Sequence, residues 1–151
     1  MIAQTTALIA EDEPLLAQSL EAELSRAWPE LRVLATVGDG VSAVAQALHL
    51  KPDVLFFDIR MPALSGLEAA AALADDWPAQ DAFPLLVFVT AYDQYAVQAF
   101  ETQAVDYLLK PVQPRRLQTT IEKLRPAPMR RAQAATISGA DQSVSLEQTL
   151  A

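Results

Sequence analysis

The sequence predicts a doubly wound α/β sandwich, a single parallel sheet of five strands, each followed by a helix, covered on both faces. Three observations predict it. Short β-rich apolar runs alternate five times with helical stretches. Several of those runs are continuous rather than alternating, as in parallel strands buried on both sides. Finally, 151 residues with 52% hydrophobic and 20% charged side chains suit one domain with a core of ordinary size.

The first strand spans residues 6–10 and is closed by Glu11, Asp12 and Glu13. Pro14 then suits a first helical turn, with Asp12 and Glu13 as capping candidates, and Ala17, Leu20, Leu24 and Ala27 line one face before Pro29. The second strand, 32–37, stops at the turn Gly38-Asp39-Gly40, and the helix beyond it is expected to bury Val41, Val44 and Leu48. A third strand over 53–58 leads into the Pro- and Gly-containing loop 60–66 and an Ala-rich helix over about 67–74. The fourth strand is 85–90, followed by a short helix over 91–101. The fifth is 104–109, followed by a helix carrying Leu117, Ile121 and Leu124 at i, i+4 and i+7.

Charge is unevenly placed. Residues 1–112 carry 5 Lys and Arg against 16 Asp and Glu, whereas residues 113–151 carry 6 against 3. The acidic part repels phosphates, so any contact with DNA is expected from another domain. No apolar run approaches a membrane span, no basic segment precedes an apolar one at the N-terminus, and there is no Cys. A cytoplasmic protein is expected, without membrane contact, disulfides, thiolate metal sites or a Cys nucleophile.

In an open parallel sheet the crevice lies at the carboxyl ends of the strands. Four such ends carry polar groups here: Glu11-Asp12, Asp58, Thr90 and Lys110. Each alone has a plain reading, as a helix cap, a loop cap, a β-branched strand residue or a solvated cation. Independent plain readings would not have to place all of them on one edge. Like-charged carboxylates at one site are costly unless a cation intervenes, and hard oxygens with one Lys suit Mg²⁺. His49, the only histidine, falls late in the second helix, away from the strand ends, and is read as a surface residue. Trp28 and Trp77 stand at helix ends before Pro29 and Pro78, and are read as packing anchors.

Taken together, Glu11-Asp12-Glu13-Pro14, Phe57-Asp58-Ile59-Arg60-Met61-Pro62 with Gly66-Leu67-Glu68, Val89-Thr90-Ala91 and Asp106-Tyr107-Leu108-Leu109-Lys110-Pro111 resemble the receiver domain of two-component response regulators. The likeness spans about residues 5–125. The stretch 91–100 followed by 105–111 is most similar to receivers of the LytTR (LytR/AlgR) branch. The resemblance implies a flavodoxin-like, CheY-like (βα)5 sandwich with strand order 2-1-3-4-5, an order that periodicity alone leaves open.

By the same resemblance, Asp58 is the phosphoacceptor, attacking the phosphohistidine of a sensor histidine kinase. Asp12, Asp58 and the backbone carbonyl of Arg60 are implied as Mg²⁺ ligands, with Glu11 acting through water. Lys110, the Thr90 hydroxyl and the Ala91 amide are implied to hold the phosphoryl oxygens, which agrees with what phosphoryl transfer requires. Lys110-Pro111 matches the family's cis peptide. Thr90 and Tyr107 are the implied switch pair. The surface of the fourth helix, fifth strand and fifth helix, bearing Tyr95, Val97, Phe100 and Tyr107, is the implied output face and a homodimer surface. Two departures bear on the lifetime of the phosphorylated state: Glu11 is longer than the family's commoner Asp, and Arg60 and Tyr92 lie beside positions that in the family tune dephosphorylation.

Other classes fit less well. An FMN carrier of this strand order needs a Ser-, Thr- and Gly-rich loop after the first strand, where three acids stand. An aspartate-nucleophile phosphatase usually has a second Asp two positions on, where Arg60 stands, so no enzyme is expected beyond self-phosphorylation from small donors and slow autodephosphorylation. A stand-alone or phosphate-independent receiver acting as a protein–protein adaptor is the alternative. The expected organisation is a receiver over 1–125 and, over 126–151, a linker or the start of a LytTR-type DNA-binding domain missing from this chain. DNA contact and control of transcription are expected only through that domain.

Overall fold

The structure is a computed structural model and describes residues 4–127. Its elements are β1 (Thr6–Ala10), α1 (Pro14–Ala27), β2 (Arg32–Val37), α2 (Gly40–Leu50), β3 (Val54–Phe57), α3 (Gly66–Asp76), β4 (Leu85–Thr90), α4 (Ala96–Glu101), β5 (Asp106–Leu109) and α5 (Pro114–Leu124). All strand pairs are parallel and the sheet order is β2-β1-β3-β4-β5. The expected strand order and class are therefore found.

Apolarity on both sides of each central strand explains the two-layered cover. Ala7, Ile9, Val54, Phe56, Val87, Val89 and Leu108 face one core, closed by Leu20, Leu24 and Trp28 and by Leu117, Ile121 and Leu124 of α5. Their chain neighbours Leu8, Ala10, Leu55, Phe57, Leu86 and Phe88 face the other, closed by α2, α3 and Ala99 of α4. Burying each such large side chain stabilises by about 1.5–3 kcal/mol, so neither face tolerates a register slip. The sequence stripe on α2 needs correction. Val41 is 55% exposed, and Ala43 and Ala47 are the fully buried residues, with Val44 and Leu48 only partly covered. Small residues win because the helix lies close to its neighbours: a Cβ on Gly40 would stand 2.2 Å from the carbonyl oxygen of Leu64.

Two further expectations shift. Glu13 is the N-cap of α1, but its side chain makes no capping bond. After β4 the helix starts late: Tyr92 is extended, Asp93–Tyr95 form one 3₁₀ turn, and α4 begins at Ala96. Both polar groups of the Tyr92 backbone are bonded outside the helix, to Thr90 Oγ1 and the Tyr107 hydroxyl, which holds that residue out of helical register. The linker expected over 126–151 lies, from residue 128, outside the described residues.

α5 is pinned to the sheet by Asp106, which is buried at the start of β5. Its carboxylate accepts from Arg116 at 2.8 Å and again through the second guanidinium nitrogen, and from the Thr120 hydroxyl at 2.7 Å and the Tyr107 amide at 2.9 Å. Burial alone would raise its pKa. The Arg116 fork and the two further donors outweigh burial and hold the carboxyl well below the usual range. Asp106→Asn is therefore expected to cost about 2 kcal/mol at neutral pH. A depressed pKa contributes stability above the unfolded value of about 4 and loses it as pH falls through the folded one. The gap between wild type and variant, read from urea midpoints, should hold from pH 7 to about 5 and close below about 4; a gap constant down to pH 3 would contradict the assignment.

Candidate functional site

The site forms where apolar strands end. β1 and β3 are adjacent and in register from Ala7↔Val54 to Ala10↔Phe57, so the residues just beyond them, Glu11 and Asp58, emerge side by side. Their amides continue the ladders, Glu11 N–H to the Val37 carbonyl and Asp58 N–H to that of Ala10, both at 2.9 Å. Thr90 ends β4, and its carbonyl accepts from the Lys110 amide at 2.9 Å, which fixes where the lysine leaves β5.

Carboxylate oxygens of Glu11, Asp12 and Asp58 all lie within 4.8 Å of one another. Glu11 and Asp58 are buried, while Asp12 is open to solvent. Lys110 Nζ donates to Asp58 Oδ2 at 2.7 Å and also to Glu11 Oε1. Asp58 Oδ1 accepts from the Ile59 amide at 2.6 Å, and Glu11 Oε2 from the Glu13 amide at 3.1 Å. The peptide Lys110-Pro111 is cis.

Three acids and one ammonium leave the site electrostatically unbalanced. Burial raises the pKa of Glu11, with the Asp58 charge adding to it, against the pull of Lys110 and of the Glu13 amide. At Lys110, burial works against the ammonium, but hydrogen bonds to Asp58 and Glu11 outweigh it and the pKa rises. The two directions agree: the cation is firmly held, and it does not neutralise every acid. A donor set of hard carboxylate oxygens with one side facing water fits a small hard divalent cation that keeps part of its hydration, as Mg²⁺ does.

The loop leaving Asp58 returns at once. Gly66 N–H donates to the Ile59 carbonyl at 2.7 Å, and a Cβ on Gly66 would stand 2.0 Å from the Asp58 carbonyl oxygen. Ser65 and Glu68 form a capping box that starts α3 from this loop. Within the loop, between Asp58 and Gly66, Ala63 takes φ 69°, a left-handed conformation that favours glycine.

Glu11, Asp12, Asp58 and Lys110 thus come together as the sequence implies. Thr90 and Tyr107 meet elsewhere: both hydroxyls bond the backbone of Tyr92, Thr90 Oγ1 accepting from its N–H at 3.4 Å and the Tyr107 hydroxyl donating to its carbonyl. Thr90 is fully buried, and Ala91 is exposed at the mouth. The Arg60 side chain turns toward the β4–α4 connection, onto Tyr92 and Tyr95. Sequence reading missed this Arg60–Tyr95 contact and the Arg116–Asp106 fork. The i, i+4 pair Arg116 and Thr120 facing a strand acid is the one signal that could have found the second; the first joins two loops 35 residues apart and leaves no local signal. His49 is exposed on α2, and Trp28 and Trp77 pack, the first in the α1–α5 core and the second edge-on to Phe83.

No helix among the described residues is long and apolar enough to cross a membrane. The chain is similar to an uncharacterised response regulatory protein of Vibrio cholerae, 48% identical over 126 residues, covering 83% of this chain and 47% of that protein. It is similar to the transcriptional regulatory protein BtsR of Escherichia coli, 40% identical over 118 residues, covering 78% of this chain and 47% of BtsR. The chain thus spans about half the length of these relatives. Among solved structures, the response regulatory domain of mrkE from Klebsiella pneumoniae superposes with a TM-score of 0.73 at 33% identity, over 83% of this chain and 98% of that one. The family described as the response regulator receiver domain matches residues 7–122, and with this fold and this acidic edge the chain belongs to that signalling family.

Proposed function

We propose that the chain is a phosphorylation-dependent switch, in which Asp58 accepts a phosphoryl group from a sensor histidine kinase and the output face responds. The observation that carries the reading is the convergence of Glu11, Asp12, Asp58 and Lys110 on one sheet edge. Asp58 Oδ2 is the candidate nucleophile, presented by the Ile59 amide on Oδ1. Lys110, freed from part of its pairing, would neutralise charge gathering on the phosphoryl oxygens, with the Thr90 hydroxyl and the Ala91 amide as further donors. Asp12, Asp58 and the Arg60 carbonyl would hold Mg²⁺, with Glu11 contributing through water. When bound, the ion would supply charge neutralisation and alignment at the acceptor. No candidate general acid stands at position 60, so hydrolysis of the aspartyl phosphate is slow and the chain is no phosphatase.

The output half of the proposal rests on the α4–β5–α5 face. Val97, Phe100 and Leu109 are 71%, 58% and 47% exposed there, and Thr90 and Tyr107 are the switch residues beneath it. This face is the proposed homodimer surface. The chain is read as the receiver, over 1–125, of a cytoplasmic LytTR-type transcription regulator, with 126–151 leading toward a DNA-binding domain. The likeness to BtsR, a transcriptional regulatory protein, supports that reading.

Fluorine NMR of beryllofluoride, a phosphoryl mimic, tests the pocket. With Mg²⁺, a bound signal is expected in wild type, a signal weakened at least tenfold in apparent affinity in Asp12→Ala, and none in Asp58→Asn. Equal signals in all three would contradict the assignment of these residues.

A further inference from the structure

The Arg60 side chain has no part in the acidic edge, yet it is far from idle. Its guanidinium carbon stands 4.0 Å from the centroid of the Tyr92 ring and 5.9 Å from that of Tyr95. Nε and Nη2 donate to the Tyr95 hydroxyl at 3.3 and 3.2 Å. The two rings meet edge to face at 6.4 Å, so one cation gathers both aromatics of the segment between β4 and α4. Tyr92 is in turn the residue whose backbone holds both the Thr90 and the Tyr107 hydroxyls. Arg60 follows Asp58 by two residues, and it lines one shallow hollow together with Asp12 of the acidic edge.

We propose that Arg60 is a resting-state clamp, holding Tyr92 and Tyr95 while Asp58 is unmodified and exchanging them for phosphoryl oxygens once Asp58 is phosphorylated. This rests on the phosphoacceptor reading and adds how its state reaches α4. An exposed cation–π contact and a bond to a neutral hydroxyl are each weaker than a charge-assisted fork on phosphoryl oxygens, so a dianion two residues away outcompetes them. Release of Arg60 uncovers Tyr92. Loss of the Thr90 bond to the Tyr92 amide, as the hydroxyl turns to the same oxygens, then frees the carbonyl that restrains Tyr107. The 3₁₀ turn Asp93–Tyr95 and the short α4 behind it have few other ties: Ala99 is the buried residue of α4, and Val97 and Phe100 are exposed.

The test is amide hydrogen exchange over residues 92–101 of the full chain, with and without Mg²⁺ and beryllofluoride, together with the ¹⁵N signal of the Arg60 Nε–H. In wild type, the mimic should speed exchange of this segment about fivefold and move the Arg60 signal. Tyr95→Phe, which removes only the hydroxyl, should raise exchange in the free protein while its uptake of the mimic stays at the wild-type level. Arg60→Gln should raise free-protein exchange to about the wild-type liganded rate. An Arg60 signal unmoved by bound mimic, or exchange in both free variants equal to wild type, overturns the clamp alone. Wild-type protein that takes up no beryllofluoride overturns the phosphoacceptor reading and the clamp with it.

Discussion

Gly66→Ala is expected to lower stability by about 3 kcal/mol and to impair every property of the site at once. A Cβ there would stand 2.0 Å from the Asp58 carbonyl oxygen, 2.9 Å from its carbonyl carbon and 3.1 Å from the Ile59 Cα. All three neighbours are backbone, so no side chain can rotate away. Either the Gly66–Ile59 hydrogen bond breaks or the backbone after β3 moves, and Asp58 moves with it. Urea unfolding midpoints at unchanged slope would measure the loss, and beryllofluoride affinity would report the displaced acid. A variant within about 0.5 kcal/mol of wild type, the range of an ordinary surface change, would show that the close approach is not real.

Lys110→Ala is expected to slow phosphoryl transfer to Asp58 about 10²-fold, in line with losing one charged donor at a developing anion. It should also abolish the response of the α4–β5–α5 face. Lys110 joins the acidic edge directly to β5, since its amide is bonded to Thr90 and its ammonium to Asp58 and Glu11. Removing it leaves three carboxylates clustered without their cation, which should strengthen rather than weaken the uptake of Mg²⁺. Hydrogen exchange on the slowly phosphorylated variant reads the uncoupling; a wild-type response in α4 and α5 would sink the role given to this lysine.

Much of this was legible because the chemistry interrupts the core pattern. Asp58 and Thr90 end runs of side chains that are otherwise apolar, so period and polarity mark them without any partner being known. What failed to show was decided between elements. Val41 outranks Ala43 and Ala47 in hydrophobicity, yet α2 packs so near Leu64 and α3 that only small residues fit its inner face. The helix expected from residue 91 begins at 96 because Thr90 and Tyr107 claim the Tyr92 backbone, and Tyr107 arrives from β5, 15 residues later. The placement of Arg60 on Tyr92 and Tyr95 depends on two loops meeting over the strand ends, a fact of strand order rather than of local sequence.

Whether Asp58 is the phosphoacceptor of a Mg²⁺-dependent site can be read from intact mass after incubation with acetyl phosphate. Wild type with Mg²⁺ should gain one phosphoryl group, wild type without the ion should gain little, and Asp58→Asn should gain none while keeping the wild-type unfolding midpoint to within about 1 kcal/mol. A gain of equal size in Asp58→Asn would place the chemistry on another residue and rule out Asp58 as the acceptor. Wild-type protein that neither gains the group nor forms a beryllofluoride complex would leave a receiver that acts as a phosphate-independent adaptor.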